Sequence, residues 1–156
     1  MIYGKFKYQV MYNTAIITEY MGTDTDVCIP DHVARFPVVI INSSAFMNKP
    51  NLLSVSLPRG VVSLGNCVFY NCTSLVGMVI PSSVVNIGMG VFGNCAHLRS
   101  IVIPKSVTLI GQDTFANCPN LVVSIEKGSY AERYCLDNNV PYKILKDIEK
   151  AYYYPD

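Results

Sequence analysis

Between residues 50 and 122, apolar and polar positions repeat at a fixed interval. Pro58, Pro81 and Pro104 recur at an interval of 23, as do Gly65, Gly88 and Gly111, and Cys72, Cys95 and Cys118. Phe46, Phe69, Phe92 and Phe115 carry the same interval to four copies. Asn48, Asn71, Asn94 and Asn117 do so as well, and so do Leu52, Leu75, Leu98 and Leu121. Self-similarity of this length is the mark of a solenoid, in which each copy is one coil that buries its apolar side by stacking on its neighbours.

Residues 98–118 describe one coil. Ile101 and Ile103 alternate with Ser100 and Val102, which predicts a short strand with one pair facing in and the other facing out. Pro104 supplies no N–H to a ladder and ends that strand. Val107 and Ile110 re-enter the core on the opposite side, as do Val61 and Leu64, and Val84 and Ile87. Gly111 then turns the chain. Asn42 occupies its position in the first copy, and Asn is the residue after glycine that best tolerates φ > 0, so a left-handed backbone is expected there. The run to Phe115 and Cys118 is expected to form a short helical or 3₁₀ turn, with Phe filling the core of each coil. The Asn series reads as a buried ladder bonding loop backbone between coils, or alternatively as a ligand-binding row.

The same alternation identifies the candidate partner-binding residues. Ser54, Ser56, Gly77, Val79, Ser100 and Val102 should face outward from a continuous sheet, and the interval of 23 extends this row to Val123 and Ile125. These side chains are small and uncharged, without the large aromatic anchors of many interfaces.

Charge changes this picture little. Charged residues make up 15% of the chain, against about a quarter in ordinary domains. Within residues 50–122 they are Arg59, Arg99, Lys105 and Asp113 alone, as expected where most of each coil is interior. The net charge of +1 gives no electrostatic case for nucleic acid or an anionic membrane. No apolar run is long enough to span a bilayer, so no membrane insertion is expected. Polar Gln9, Asn13 and Thr14 follow Lys5 and Lys7, which leaves no signal-peptide core. A cytoplasmic protein and one beginning after a removed leader both fit.

The pattern L-x-x-I-x-I-P-x-x-V-x-x-I-G-x-x-x-F-x-N-C closely resembles the BspA-type (Treponema pallidum-type) leucine-rich repeats of bacterial surface proteins and some protist proteins. Tyr8 to Val10, Ala15 to Gly22 and Val27 to Pro30 resemble the β-hairpin that opens such arrays. Lys127 to Tyr134 with Asn139 to Tyr142 resembles the helix and strand that close them. The expected fold is a mostly β, right-handed leucine-rich-repeat solenoid of about four coils at this period. Residues 1–27 would form an N-terminal hairpin cap, 28–126 the repeats, and 127–156 a C-terminal cap and tail. The family usually carries Gly near Ala34–Arg35, and its absence here implies a rebuilt first turn. The first copy is also stretched, since the step from Pro30 to Pro58 exceeds the period.

Candidate chemistry is sparse. Cys72, Cys95 and Cys118 should lie about one strand spacing apart, ~4.8 Å, within disulfide reach, yet three in a row cannot all pair. They read as small buried hydrophobes. No C-x-x-C spacing points to a metal, and no cofactor is expected. His32 and His97 are the only histidines, and neither has an orienting group at a recognisable spacing, so no catalytic residue is assigned. The leading reading is a non-enzymatic module that presents its sheet to a protein or glycan partner, and the resemblance implies a cell-surface or secreted adhesin. The alternative is an intracellular scaffold that self-associates through the C-terminal end, where Tyr152, Tyr153 and Tyr154 would cover the open edge of the last coil.

Overall fold

The computed structural model describes residues 1–154. Its first three strands, β1 (Ile2–Tyr3), β2 (Phe6–Met11) and β3 (Thr14–Tyr20), form an antiparallel meander. Tyr12 and Asn13 join β2 to β3 with φ of 48° and 63°, the two-residue turn whose backbone twist matches that of paired strands. Strand β4 (Asp26–Cys28) then starts a different sheet. The chain doubles back through β5 (His32–Val33) and β6 (Phe36–Ile41), an antiparallel pair. Ala34 adopts φ 52° at this bend. The rebuilt first turn is therefore a tight hairpin, closed by an alanine in a conformation that costs a non-glycine residue ~1–2 kcal/mol.

From here two sheets grow together. Strands β7 (Ser54–Ser56), β9 (Gly77–Val79), β11 (Ser100–Ile103) and β13 (Val122–Ile125) add in parallel to β4 and form the face sheet. The short strands β8 (Ser63–Leu64), β10 (Asn86–Ile87) and β12 (Leu109–Ile110) extend β6 into the back sheet. Helix α1 (Tyr130–Asp137) packs on β12 and β13, and β14 (Tyr142–Ile144) closes the face sheet; α2 (Asp147–Tyr153) follows. None of these helices is long and apolar enough to cross a membrane.

The face sheet is crossed six times, so the solenoid has about six turns rather than the four marked by the strict repeat. Corresponding residues along it are Val27, Val55, Met78, Ile101, Val123 and Tyr142. Only the steps 55 to 78 and 78 to 101 keep the interval of 23. The step 27 to 55 is longer than the period, and the steps 101 to 123 and 123 to 142 are shorter. Sequence periodicity counts only coils of equal length, whereas a sheet tolerates unequal loops between its strands.

The core between the sheets is built on an aromatic column. Phe46, Phe69 and Phe92 are fully buried and Phe115 is 8% exposed. Successive ring centroids lie 5.3, 5.7 and 5.8 Å apart, and Tyr20 and Tyr134 extend the column at either end. The expected helical or 3₁₀ turns around these residues are absent; the segments are β-turns. Their N–H groups point alternately within and between coils: Phe69 donates to Val91 of the next coil, whereas Cys72 donates to Phe69. A helix would have closed these bonds locally and left the coils linked through the two sheets alone.

Two recurring residue types have different roles from those expected. Gly65, Gly88 and Gly111 do not have positive φ. A Cβ on Gly111 would stand 2.4 Å from the Met89 nitrogen, and one on Gly65 2.5 Å from the Ser43 nitrogen. Glycine is required here by close approach of neighbouring coils, not by backbone twist. The left-handed positions are Ser44, Cys67, Gly90 and Asp113, again at the interval of 23, and the Asn row itself with φ of 57–61°. Those asparagines lie on the rim rather than in the core. Asn71 donates to Asn48 at 2.9 Å, Asn117 to Asn94 at 2.7 Å, and Asn94 to the Tyr70 hydroxyl at 2.8 Å. They were expected to bond loop backbone, but their amides bond one another and Tyr70.

Candidate functional site

The outward side of the face sheet is flat for a local reason. Strands β7, β9, β11 and β13 each turn two residues outward, all of them Ser, Gly or Val, and alternation turns the larger Met78 and Ile101 inward. Ser54, Ser56, Val79 and Ser100 are exposed and Gly77 is half-buried. A Cβ on Gly77 would fall 2.8 Å from the Ser100 hydroxyl, so glycine lets the side chain of the neighbouring strand lie across it. Ser54 donates to Asp26 at the opposite margin.

Two outward assignments need correction. Val123 and Ile125 are fully buried. In the last full coil the strand starts one position early, pairing Ile101 with Val123 rather than with Ser124, and a one-residue slip moves every side chain to the other face. Val122 and Ser124 face outward instead. Val102 does point outward, paired with Ser124, but is only 5% exposed, and Ser124 only 4%.

Helix α2 accounts for that burial. It follows β14 and lies over the outer side of β11, β13 and β14. Glu149 accepts from the Lys146 N–H at 2.9 Å and stands 3.8 Å from the Lys143 ammonium. Lys150 reaches 3.9 Å from Glu126, and Tyr153 closes one wall of a groove of about 580 Å³. Gly77, Val79, Ser100 and Val102 form its floor, with Arg99 and Lys143 at its sides. Tyr154 is half-buried and its hydroxyl lacks a hydrogen-bond partner. Burial raises its pKa and Glu126 raises it further. The tyrosine-rich end thus turns onto the face; the side chain of Tyr152 lies outside the described residues. Tyr142 packs against the core.

Sequence reasoning missed one further row. Leu53, Val76 and Arg99 each follow the buried Leu of their coil, and with His97 they line a shallow exposed cavity of about 270 Å³ along the entry edge of the face. Their common place after Leu52, Leu75 and Leu98 was the available signal.

The remaining candidates hold no reactive arrangement. His32 is exposed on β5, and the His97 Nδ1 sits 2.6 Å from the Thr73 carbonyl oxygen. Among the described residues no three His, Cys, Asp or Glu side chains converge on a metal-sized site. All six cysteines are free. The thiols of Cys72, Cys95 and Cys118 donate to the carbonyls of Phe46, Phe69 and Phe92 at 3.1, 3.2 and 3.0 Å. Burial pushes Cys72 and Cys118 up to about 11 and raises Cys95 further, the opposite of an activated thiolate.

Comparison with known proteins agrees with this architecture. The model of the BspA type leucine rich repeat region matches residues 38–146 in six copies. A leucine-rich-repeat protein from Bacteroides capillosus superposes with a TM-score of 0.70 at 27% identity, covering 81% of this chain and 97% of that one. The T. pallidum leucine rich repeat protein gives 0.65 at 29% identity, covering 77% and 68%. A leucine rich cell surface protein from Faecalibacterium prausnitzii gives 0.62 at 28% identity; 81% of this chain matches 44% of that longer protein. No protein of curated function matches the chain. The six matched copies agree with the six crossings of the face sheet and span more than half of the sequence: the chain belongs to the BspA type leucine-rich-repeat family.

Proposed function

We propose that this protein is a non-enzymatic binding module whose face sheet docks a protein partner. The observation that carries the reading is the groove over Gly77, Val79 and Ser100, a continuous small-residue floor across parallel strands on a rigid support. The Phe, Gly and Asn rows are committed to the aromatic column, to inter-coil contacts and to the rim ladder. A floor of Ser, Gly and Val lacks anchors of its own and suits a partner that brings them, since aromatic and Arg side chains carry most interface energy. Protein is favoured over glycan because Tyr153 is the one aromatic ring among the described residues that line the groove. A surface location draws support from the F. prausnitzii relative, whose description is that of a cell surface protein; a role in adhesion would follow from that location together with a protein partner.

The test is a binding screen of the full chain on arrays of extracellular proteins and of glycans, repeated with Val79→Arg. Val79 is 38% exposed, so this substitution should change stability by no more than ~0.5 kcal/mol while placing a long cation on the groove floor. Protein signals lost in the variant support the reading. Signals that survive it move the site off the face, and glycan signals lost in it correct the partner class.

A further inference from the structure

The outer side of β11, β13 and β14 is not bare: the chain has already placed a helix on it. Val102 and Ser124 face outward by strand alternation and yet are 5% and 4% exposed. Their cover is held by paired charges on either side, Glu149 with Lys143 at 3.8 Å and Lys150 with Glu126 at 3.9 Å. Tyr153 borders the groove beside Val79, Ser100 and Val102. These ion pairs are long and partly exposed, a class that holds weakly. The Tyr154 hydroxyl is buried without a partner, a desolvation cost that opposes docking. A surface that accepts a helix through a tyrosine and opposed charges, the described pairs of which are long and partly exposed, is suited to exchange.

We infer that this end of the face is a helix-docking surface and that α2 is its tethered occupant. A partner presenting a short helix of the same chemistry competes for it, with an acid for Lys143, a base for Glu126 and an aromatic ring over Val102. This rests on the face proposed above, and it names the partner's class as helical rather than extended. Undocking α2 would expose Val102 and Ser124, which already line the groove beside Val79, and open that end of the site over β13 and β14.

The probe is a synthetic peptide of residues 146–156, added to the ¹⁵N-labelled full chain. A segment joined by so short a link has an effective concentration on the order of millimolar. A cover that is closed most of the time must therefore bind in trans with a Kd of about 1 mM or tighter. In the unaltered chain the surface is filled, and amide shifts should be absent. In the Lys150→Glu/Tyr153→Asp variant the cover is released, and peptide up to about 1 mM should shift the amides of Val102, Ser124 and Lys143. Adding Ser124→Arg should abolish those shifts. The single variant Lys150→Glu serves if the double variant lacks the dispersed spectrum of the folded array. Equal shifts in the unaltered chain, or none in a folded released variant, would overturn the inference. Peptide binding without any array partner would keep it and remove the proposed function; an array partner indifferent to the peptide would do the reverse.

Discussion

Replacing Phe92 by alanine removes the middle of the aromatic column. Phe92 is fully buried, stacked on Phe69 at 5.7 Å and on Phe115 at 5.8 Å with ring planes 11° and 6° apart. Its backbone is pinned on both sides: its N–H donates to Thr114 at 2.9 Å and its carbonyl accepts the Cys118 thiol. The coil therefore cannot collapse into the space, and the cost belongs at the upper end of the Phe-to-Ala range, ~4–5 kcal/mol. Two ring pairs worth ~0.5–1.5 kcal/mol each disappear with it. Phe115 is 8% exposed and meets Tyr134 edge-on at 6.2 Å, so Phe115→Ala should cost less, ~3 kcal/mol at the lower end of that range. Because coils contact only their neighbours, the central change should also weaken coupling between the halves and flatten the unfolding transition. Urea titration followed by circular dichroism gives both the midpoint and the slope. A Phe92→Ala loss below ~1.5 kcal/mol, or one no larger than that of Phe115→Ala, would refute the continuous column.

Gly111→Ala should cost ~1–3 kcal/mol by overpacking, since its Cβ would meet the Met89 backbone at 2.4 Å. Gly128→Asn, with φ 77° and open space around it, should stay within ~1 kcal/mol, and equal losses at the two sites in urea titration would sink the close-approach reading. Stability should fall at alkaline pH: Cys72, Cys118 and Cys135 are raised by burial from 9.0 to about 11. Unfolded thiols ionise from about pH 9 while folded ones hold their protons, so the contribution is whole below pH 9 and is lost as pH rises toward 11. Tyr20, raised to about 12 by burial and by Asp24, acts in the same sense from pH 10 upward. Urea midpoints at pH 8 and pH 10.5 measure the loss, and Cys72→Ala should reduce it.

Much of this was legible because a solenoid repeats its contacts as it repeats its residues. One interval placed Phe46, Phe69, Phe92 and Phe115 in a column, ended strands at the prolines, and set Ser54, Ser56, Val79 and Ser100 on the outer face. The opening hairpin and the helix beginning within residues 127–134 were legible through the resemblance to the family's caps. Errors arose where one residue type serves two physical needs. Glycine answers both a left-handed turn and a tight approach, and only the 2.4 Å gap at Gly111 distinguishes them. Asparagine suits both a buried bridge and a left-handed rim, and its location decides.

The sequence by itself determined the coil, its core residues and its family, because those depend on neighbours one period away. The tertiary structure decided the rest. It set the number of turns, since strands such as β4 and β7, or β13 and β14, pair across connections of unequal length that no periodicity marks. It set the phase of β13, where a single missing residue inverted Val123 and Ile125. And it decided how much of the face is open, because α2 brings Tyr153 to the groove that Val102 and Ser124 line, a placement that shares no period with the strands beneath.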